Sequence, residues 1–288
     1  LLGLGHNFYL NTDHSLYFSK IKTLFYLKTQ FASLLSRDFS DAQDYRATLD
    51  QAYVLYQLKP LLVSIGRSPL VWGQGEYGGL MFSENARALD HIQITHDAFR
   101  LPWIFKNLGK WKFSYIFGTL GPEQAFPWSM FTGLSIGLKP AEFLEFNLSH
   151  AMEFGGQGSR DLSASLGLQE FFGFIPFVSQ TALAGVNKFT TLNGRLFLDR
   201  LMGAQFYFEY YMDDANLSGG LRGLRKHFTF NSSYRFGLLM TRFMNSDKDS
   251  FRMEFNKSSP LSYRHGEFFT GWTPVSYTHL TLPTIRLV

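Results

Sequence analysis

Stretches in which apolar and polar residues alternate recur along most of the chain. In "GAQFYFEYY", Ala204, Phe206 and Phe208 occupy one set of alternate positions, and Gln205 and Glu209 occupy the other. The same alternation runs through "WKFSYIFGT" (111–119), "FTFNSSYRFGL" (228–238) and "FRMEF" (251–255). A period of two residues is that of a β-strand whose side chains point alternately to the two faces of a sheet. The pattern therefore predicts an all-β protein.

Short and long connections follow one another in strict order between these strands. Short turns are predicted at 19–22, 58–61, 106–110, 138–142, 199–203 and 245–250. Longer polar or glycine-rich segments lie between them, at 36–44, 68–90, 121–128, 153–178 and 213–222. Short turns at one end and long loops at the other are typical of outer-membrane barrels. We predict an antiparallel transmembrane β-barrel that is incomplete, with about 12 or more strands of a larger barrel.

The two faces of the predicted strands differ in a way that favours a barrel in lipid. One face carries many large aromatic residues, in a chain with 31 Phe and 14 Tyr, and the other carries full charges in mid-strand. An apolar exterior and a polar interior are expected of membrane barrels. We therefore predict outer-membrane lipid as a partner. A soluble all-β protein, with a second sheet over the aromatic face, is an alternative because periodicity alone does not distinguish the two.

Charge, cysteine content and histidine spacing narrow the possible chemistry. The net charge is +4, and no cluster of Lys and Arg follows one face, so no nucleic-acid partner is predicted. The chain contains no cysteine, which excludes disulfides and thiolate sites and is compatible with export. His91 and His96 are five residues apart on a strand and face opposite sides, so they cannot share a metal. We predict neither a metal nor a cofactor.

Two short motifs resemble catalytic or nucleotide-binding signatures but lack their context. Gly73, Gly75 and Gly78 form G-x-G-x-x-G, yet no helix follows as a dinucleotide site requires. Ser135 lies in G-x-S-x-G within an alternating strand, where a nucleophile elbow needs a sharp strand-to-helix turn. We therefore predict no enzyme and no catalytic residue. An outer-membrane hydrolase is an alternative that would require a Ser and a His to meet at the membrane boundary.

The two ends of the chain carry their own expectations. The predicted barrel is that of a bacterial outer-membrane protein, which is exported with a signal peptide. The start, "LLGLGHN", has no charged region followed by an apolar region, so we expect that the signal peptide is missing from this chain. At the other end, "VSYTHLTLPT" (275–284) resembles the translation of a transposase adapter used in sequencing libraries. We accordingly predict one barrel domain at 1–273, truncated at both ends, and a non-native read-through at 274–288.

One segment of the chain resembles a known family. The stretch "IGRSPLVWGQGEYGGLMFSENARALDHIQI" (65–94) is similar to the Wzi-type capsule-assembly family of outer-membrane proteins, in which a strand ending in Gly-Arg leads to W-G-x-G and then to S-x-N-A-R. The matching residues are Gly66, Arg67, Trp72, Gly73, Gly75, Ser83, Asn85, Ala86 and Arg87. The resemblance spans roughly Tyr45 to Gly271. It implies a large barrel that binds surface polysaccharide and helps to organise the capsule.

The loop that carries this motif is the predicted binding site. Trp72 and Tyr77 could stack on sugar faces, while Glu76, Asn85 and Arg87 could bind hydroxyls or acidic sugars. In the alternative, the loop turns into the barrel and packs there, with Arg87 paired to an inward carboxylate. The predicted function is binding of capsular polysaccharide by a monomeric barrel. The main alternative is a porin-like channel for small solutes or oligosaccharides.

Overall fold

The computed structural model describes residues 7–34, 44–75, 78–82, 88–172, 185–213, 232–246 and 248–258. These residues form twelve β-strands, one α-helix (α1, Ala164–Phe172) and two short 3₁₀ helices at Trp103–Leu108 and Phe243–Asn245. The strands are β1 (Asn7–Phe18), β2 (Thr23–Leu34), β3 (Asp44–Leu58), β4 (Leu61–Ser68), β5 (Leu89–Arg100), β6 (Lys110–Thr119), β7 (Met130–Ala141), β8 (Leu144–Phe154), β9 (Val186–Leu198), β10 (Ala204–Asp213), β11 (Ser232–Met240) and β12 (Phe251–Lys257).

All twelve strands belong to one sheet in which each strand pairs with its neighbours in sequence. The order is β1 to β12 without a crossover, and every pair is antiparallel. Within the described residues β1 and β12 do not pair with each other, so the sheet is open. The prediction of an all-β antiparallel architecture with about twelve strands is confirmed, as is its incomplete closure.

The two faces of the sheet differ in the manner that the alternation predicts. Apart from Leu62, every exposed large apolar residue in β4–β12 lies on one face, which we call the outward face: Ile65, Ile92, Ile94, Tyr115, Phe117, Met130, Phe146, Leu192, Phe206, Phe236, Phe251, Met253 and Phe255. The opposite, inward face carries polar side chains such as Ser114, Ser135, Glu209 and Arg235. Gln205 points inward and Phe206 outward, as predicted.

The connections also divide between two ends of the sheet. Short turns at 19–22, 59–60 and 199–203 lie at the end opposite the long loops, as predicted. One predicted turn is displaced: β7 continues to Ala141, so the turn at 138–142 is wrong, and the chain reverses at Glu142 and Phe143. The carboxylate of Glu142 lies 3.2 Å from the Lys110 ammonium and 3.1 Å from that of Lys139. These two lysines lower the pKa of Glu142.

A second correction concerns the predicted long loop at 153–178. Its first residues complete β8, and residues 164–172 form α1 rather than an irregular segment. Of the other predicted loops, nearly all of 36–44 and 213–222 falls outside the described residues, as does the predicted read-through at 274–288. No helix in the described part of the chain is long and apolar enough to cross a membrane.

Candidate functional site

The segment that joins β4 to β5, residues 69–88, turns over the inward face of the sheet, and we call it the inward loop. It is described at 69–75, at 78–82 and at residue 88. Its two arms meet at an antiparallel bridge between Trp72 and Phe82, where the Trp72 amide donates to the Phe82 carbonyl at 3.4 Å. The Gly79 amide donates to the same carbonyl at 2.9 Å. The loop is therefore a compact hairpin and not an open strap.

An apolar cluster holds the underside of this hairpin against the sheet. Trp72 is only 6% exposed, and its ring meets that of Phe82 edge-to-face with centroids 5.4 Å apart. Phe82 in turn lies 6.3 Å from the ring of Phe131 on β7. The cluster combines residues from the loop with inward residues of β6 to β10: Leu70, Trp72, Leu80, Met81, Phe82, Ile116, Leu120, Phe131, Ala151, Phe189 and Tyr211. Burial of these side chains stabilises the loop in its inward position.

Two glycines allow the arms of the hairpin to approach closely. A Cβ on Gly79 would overlap the carbonyl oxygen of Trp72, and a Cβ on Gly73 would overlap the Cα of Gly79. Gly73 also has a φ of +152°, which side chains rarely adopt. Gly73, the first glycine of the motif that resembled a nucleotide-binding signature, thus serves backbone contact within the loop. A third glycine, Gly133 on β7, lies beneath the indole, whose Cη2 would be 3.1 Å from a Cβ there.

A buried carboxylate on β10 holds the tip of the loop. Glu209 is 2% exposed, and its Oε1 accepts hydrogen bonds from the amides of Gln74 and, at 3.1 Å, Gly75. Its Oε2 accepts the amide of Leu80 at 2.8 Å. Three backbone donors from both arms therefore converge on one carboxylate, and hydrogen bonds to a carboxylate are the stronger kind.

Two arginines complete the attachment of the loop. Arg235 on β11 lies 3.6 Å from Glu209 Oε2 and donates through Nη1 to the Gly78 carbonyl at 2.5 Å. Arg195 on β9 donates to the Gln74 carbonyl at 3.3 Å and lies 3.8 Å from Glu145 Oε1. The carboxylate and the guanidinium groups therefore pair with the loop backbone and with one another, so the charges beneath the loop are compensated.

The predicted sugar-binding residues have different outcomes. Trp72 is buried in the cluster, so its ring offers no free face for stacking in this conformation. The other four predicted contacts, Glu76, Tyr77, Asn85 and Arg87, lie outside the described residues, as do the motif residues Ser83 and Ala86. The motif residues on β4 are structural: Gly66 pairs with Tyr53 of β3, and Arg67 forms an outward ion pair with Asp90 at 2.6 Å.

Sequence reasoning did not single out the residues that attach the loop or the aromatic group that is exposed beside it. Alternation placed Glu209 and Arg235 on the inward face, but nothing in the sequence related them to a loop more than 120 residues away. Trp128, in the loop from β6 to β7, is 50% exposed. Leu120, at the start of the same loop, belongs to the apolar cluster. Among the described residues, the long-loop end thus presents an exposed indole in a loop whose first residue packs into the apolar cluster.

A serine and a histidine lie close together on the inward face of β4 and β5. Ser68 Oγ lies 3.4 Å from His91 Nε2, and His91 Nδ1 lies 2.9 Å from the Leu89 carbonyl. Both side chains are buried, and a backbone carbonyl stands where a hydrolase places a carboxylate. Ser135 lies within β7, as the alternation predicted, and its hydroxyl donates to Asn147 Oδ1 on β8. No group of three metal-binding side chains occurs in the described part of the chain.

Comparison with known proteins identifies the family. The family model of the capsule assembly protein Wzi matches residues 5–278. The chain belongs to the Wzi capsule assembly family. The search of curated proteins finds no relative that matches the chain.

A solved structure of Wzi from Escherichia coli has the same fold, with a TM-score of 0.63 and 18% sequence identity. That protein is described as an outer-membrane protein involved in group 1 capsule assembly and as a carbohydrate-binding β-barrel. The match covers 93% of this chain and 61% of the Wzi chain, so this chain spans less than two thirds of that protein. The resemblance noted from Gly66 to Arg87 is therefore confirmed at the level of the family and the fold.

Proposed function

We propose that this chain is an outer-membrane barrel that binds surface polysaccharide at its long-loop end and assists capsule assembly without catalysing a reaction. Family membership supports this function, and the matched Wzi protein is itself a carbohydrate-binding β-barrel. The outward apolar face and the polar inward face support a location in the outer membrane, with lipid as the surrounding partner. We further propose that the barrel acts as a monomer.

The observation that carries the proposal is the attachment of the inward loop. A channel needs an unobstructed path along its inward face, whereas this loop is fixed across that face by an apolar cluster and by Glu209. A fixed loop suits a receptor because it presents groups in one arrangement and so lowers the entropy lost on binding. The porin-like alternative is supported only by the polar inward wall, which a receptor barrel shares.

At this end of the barrel, Trp128 is the described residue best suited to contact sugar. Its indole is half exposed, and an aromatic ring offers a large apolar face to the C–H groups of a pyranose at little conformational cost. The residues predicted for the inward loop, Glu76, Tyr77, Asn85 and Arg87, would add hydrogen bonds and charge. We assign Trp72 a supporting role in which it holds the loop in place and does not touch the polymer.

A titration tests this function. The protein, refolded into bilayers, is titrated with purified capsular polysaccharide and compared with Trp128→Ala. Trp103→Ala is the matched control because Trp103 is 87% exposed at the opposite, short-turn end. We expect saturable binding that weakens about fivefold to 160-fold in Trp128→Ala, if a sugar ring on the indole gains the roughly 1–3 kcal/mol that a base stacked on an aromatic side chain gains. Equal weakening by both substitutions, or no binding by the unmodified protein, would contradict the proposal.

A further inference from the structure

The outward face of the sheet changes from charged or covered residues to exposed apolar residues along a line that runs obliquely across the strands. On β4 and β5 the change is abrupt: the Arg67–Asp90 ion pair lies outward at 2.6 Å. The next outward residue on β5 towards the short turns is Ile92, which is apolar and 43% exposed. Because a charged pair is costly in hydrocarbon and an exposed isoleucine is not, the two sides of this step suit different solvents.

On β8 and β9 the same outward face is covered by the protein itself. Helix α1 lies there, with Phe171 packed against Met152 and Val186. Its buried Glu170 carboxylate accepts a hydrogen bond from the Lys188 ammonium at 2.7 Å. The cover continues to Thr190, which is 4% exposed, and ends before Leu192, which is 41% exposed.

Strand pairing fixes the slope of the line. The pairing row through Ile92 reaches β9 at Lys188, whereas the first exposed apolar residue on β9 is Leu192, four residues nearer the short turns. Four residues along a strand span about 13 Å, and four strand spacings span about 19 Å, which gives an angle of about 35°. Strands of outer-membrane barrels tilt by about 35–45° from the barrel axis. The pairing rows run perpendicular to the strands, and the membrane plane is perpendicular to the barrel axis. A line in the membrane plane must therefore cross the pairing rows at the angle by which the strands tilt.

The ends of the sheet continue the same slope. On β2 the row through Ile92 passes Phe25, yet Phe31, six residues nearer the long loops, is still an exposed outward apolar residue. On β12 the row through Leu192 ends at the exposed Lys257, and exposed apolar surface begins only at Phe255. From β2 through β5 and β9 to β12 the boundary therefore moves towards the short turns, and Met130 on β7, which is 37% exposed on the row of Asp90, is an apolar residue beyond it.

We infer that this oblique line is the outer edge of the hydrocarbon layer and that α1 is a collar on the outside of the barrel at the level of the lipid headgroups. The inference rests on the proposed function, in that it takes the chain to be an outer-membrane barrel. Two residues at the line on β10 and β11 are Tyr210 and Tyr234, and tyrosine is enriched where membrane meets water.

The composition of α1 fits the headgroup layer better than either hydrocarbon or open water. Leu168 and Phe172 lie one turn apart on the helix, and both are exposed. Ser163 and Ser165 at its start are exposed, and although their hydroxyls lie 3.3 Å apart, two exposed hydroxyls are costly to place in hydrocarbon. A helix with one face packed on a barrel and with exposed apolar side chains at its edge is suited to shallow insertion among lipid headgroups.

Single-cysteine labelling tests the line because the chain contains no cysteine. Ile92→Cys, Leu192→Cys, Phe255→Cys and Leu168→Cys replace exposed side chains, so the loss of packing is small. Each full-length variant is inserted into phosphatidylcholine vesicles and labelled with an environment-sensitive fluorophore. Depth is measured from quenching by lipids that carry a nitroxide either at the headgroup or along the acyl chain.

The inference predicts equal depths for the labels on β5, β9 and β12, within about 3 Å, which is one residue rise, and a headgroup depth for Leu168→Cys. A Leu192 label about 13 Å deeper than the Ile92 label would mean that the membrane follows the pairing rows, and it would overturn the line. A Leu168 label as deep as the Leu192 label would overturn the collar. If no label were quenched by any lipid, the proposed membrane barrel itself would be contradicted.

Discussion

Removal of the Glu209 carboxylate should release the inward loop from the barrel wall. In Glu209→Ala three backbone donors lose their acceptor, and Arg235 loses its buried partner. Breaking a buried, hydrogen-bonded charge pair from one side costs about 3–5 kcal/mol. Because each 1.36 kcal/mol changes an equilibrium tenfold, the open fraction of the loop should rise about 160-fold to 5,000-fold.

Thiol labelling measures this opening directly. Leu80 is part of the inward loop and is 9% exposed on its packed underside, so a cysteine at this position reacts with a soluble thiol reagent only when the loop opens. The labelling rate is compared between Leu80→Cys alone and Leu80→Cys with Glu209→Ala. The matched control is Glu254→Ala, because Glu254 is an inward carboxylate on the neighbouring part of the same face, where it accepts a hydrogen bond from Tyr207.

The expected result is a rise of two orders of magnitude or more for Glu209→Ala and little change for Glu254→Ala. Adding Arg235→Met to Glu209→Ala should recover part of the loss, since it removes the charge left without a partner. If Glu209→Ala and Glu254→Ala raise the labelling rate equally, Glu209 does not hold the loop and the reasoning is refuted.

Three further predictions follow from the sheet and its turns. Phe206→Arg on the outward face should lower the free energy of unfolding in bilayers by about 2–4 kcal/mol, while Gln205→Arg on the inward face should be tolerated; equal losses in denaturant titrations would contradict the assignment of faces. Gly79→Ala should displace the inward loop and lower the thermal midpoint, because its Cβ overlaps a carbonyl oxygen, whereas Gly137→Ala meets atoms no closer than 3.6 Å and should not. The lowered pKa of Glu142 means that its ion pairs stabilise the fold above pH 4.5 and cease to do so as the pH falls through the lowered pKa. An NMR titration should find the pKa of Glu142 below 4.5 at low salt and nearer 4.5 in 1 M salt. A pKa that does not change with salt would argue against the ion pairs.

The strands were predictable because a period of two residues assigns each side chain of a strand to one face of the sheet. Alternation alone assigned Phe206 to one face and Glu209 to the other, and the parity of short and long connections identified the end that bears the loops. These features depend on local sequence. They therefore require no knowledge of which strands meet in space.

An inward-packed loop was one of the two alternatives from the sequence, but the residues that hold it, and the helix α1, were not predictable because the groups that meet there are distant in sequence. Whether Trp72 is buried or free depends on Gly133, which leaves room for the indole on β7. The helical segment "ASLGLQEFF" contains a glycine and has no charged residue in its first turn, so it carries weak helix signals. Its stability comes from packing on Met152 and Val186, which only the paired strands bring together.

Planar-bilayer recording during a polysaccharide titration tests most directly the proposal that the chain is a polysaccharide receptor whose inward loop obstructs the path along the inward face. The account predicts no steady conductance from the unmodified protein, saturable binding of the polymer in the same preparation, and conductance that appears when Glu209→Ala releases the loop. Steady conductance from the unmodified protein, with no saturable binding of polysaccharide, would show a pore in place of a receptor.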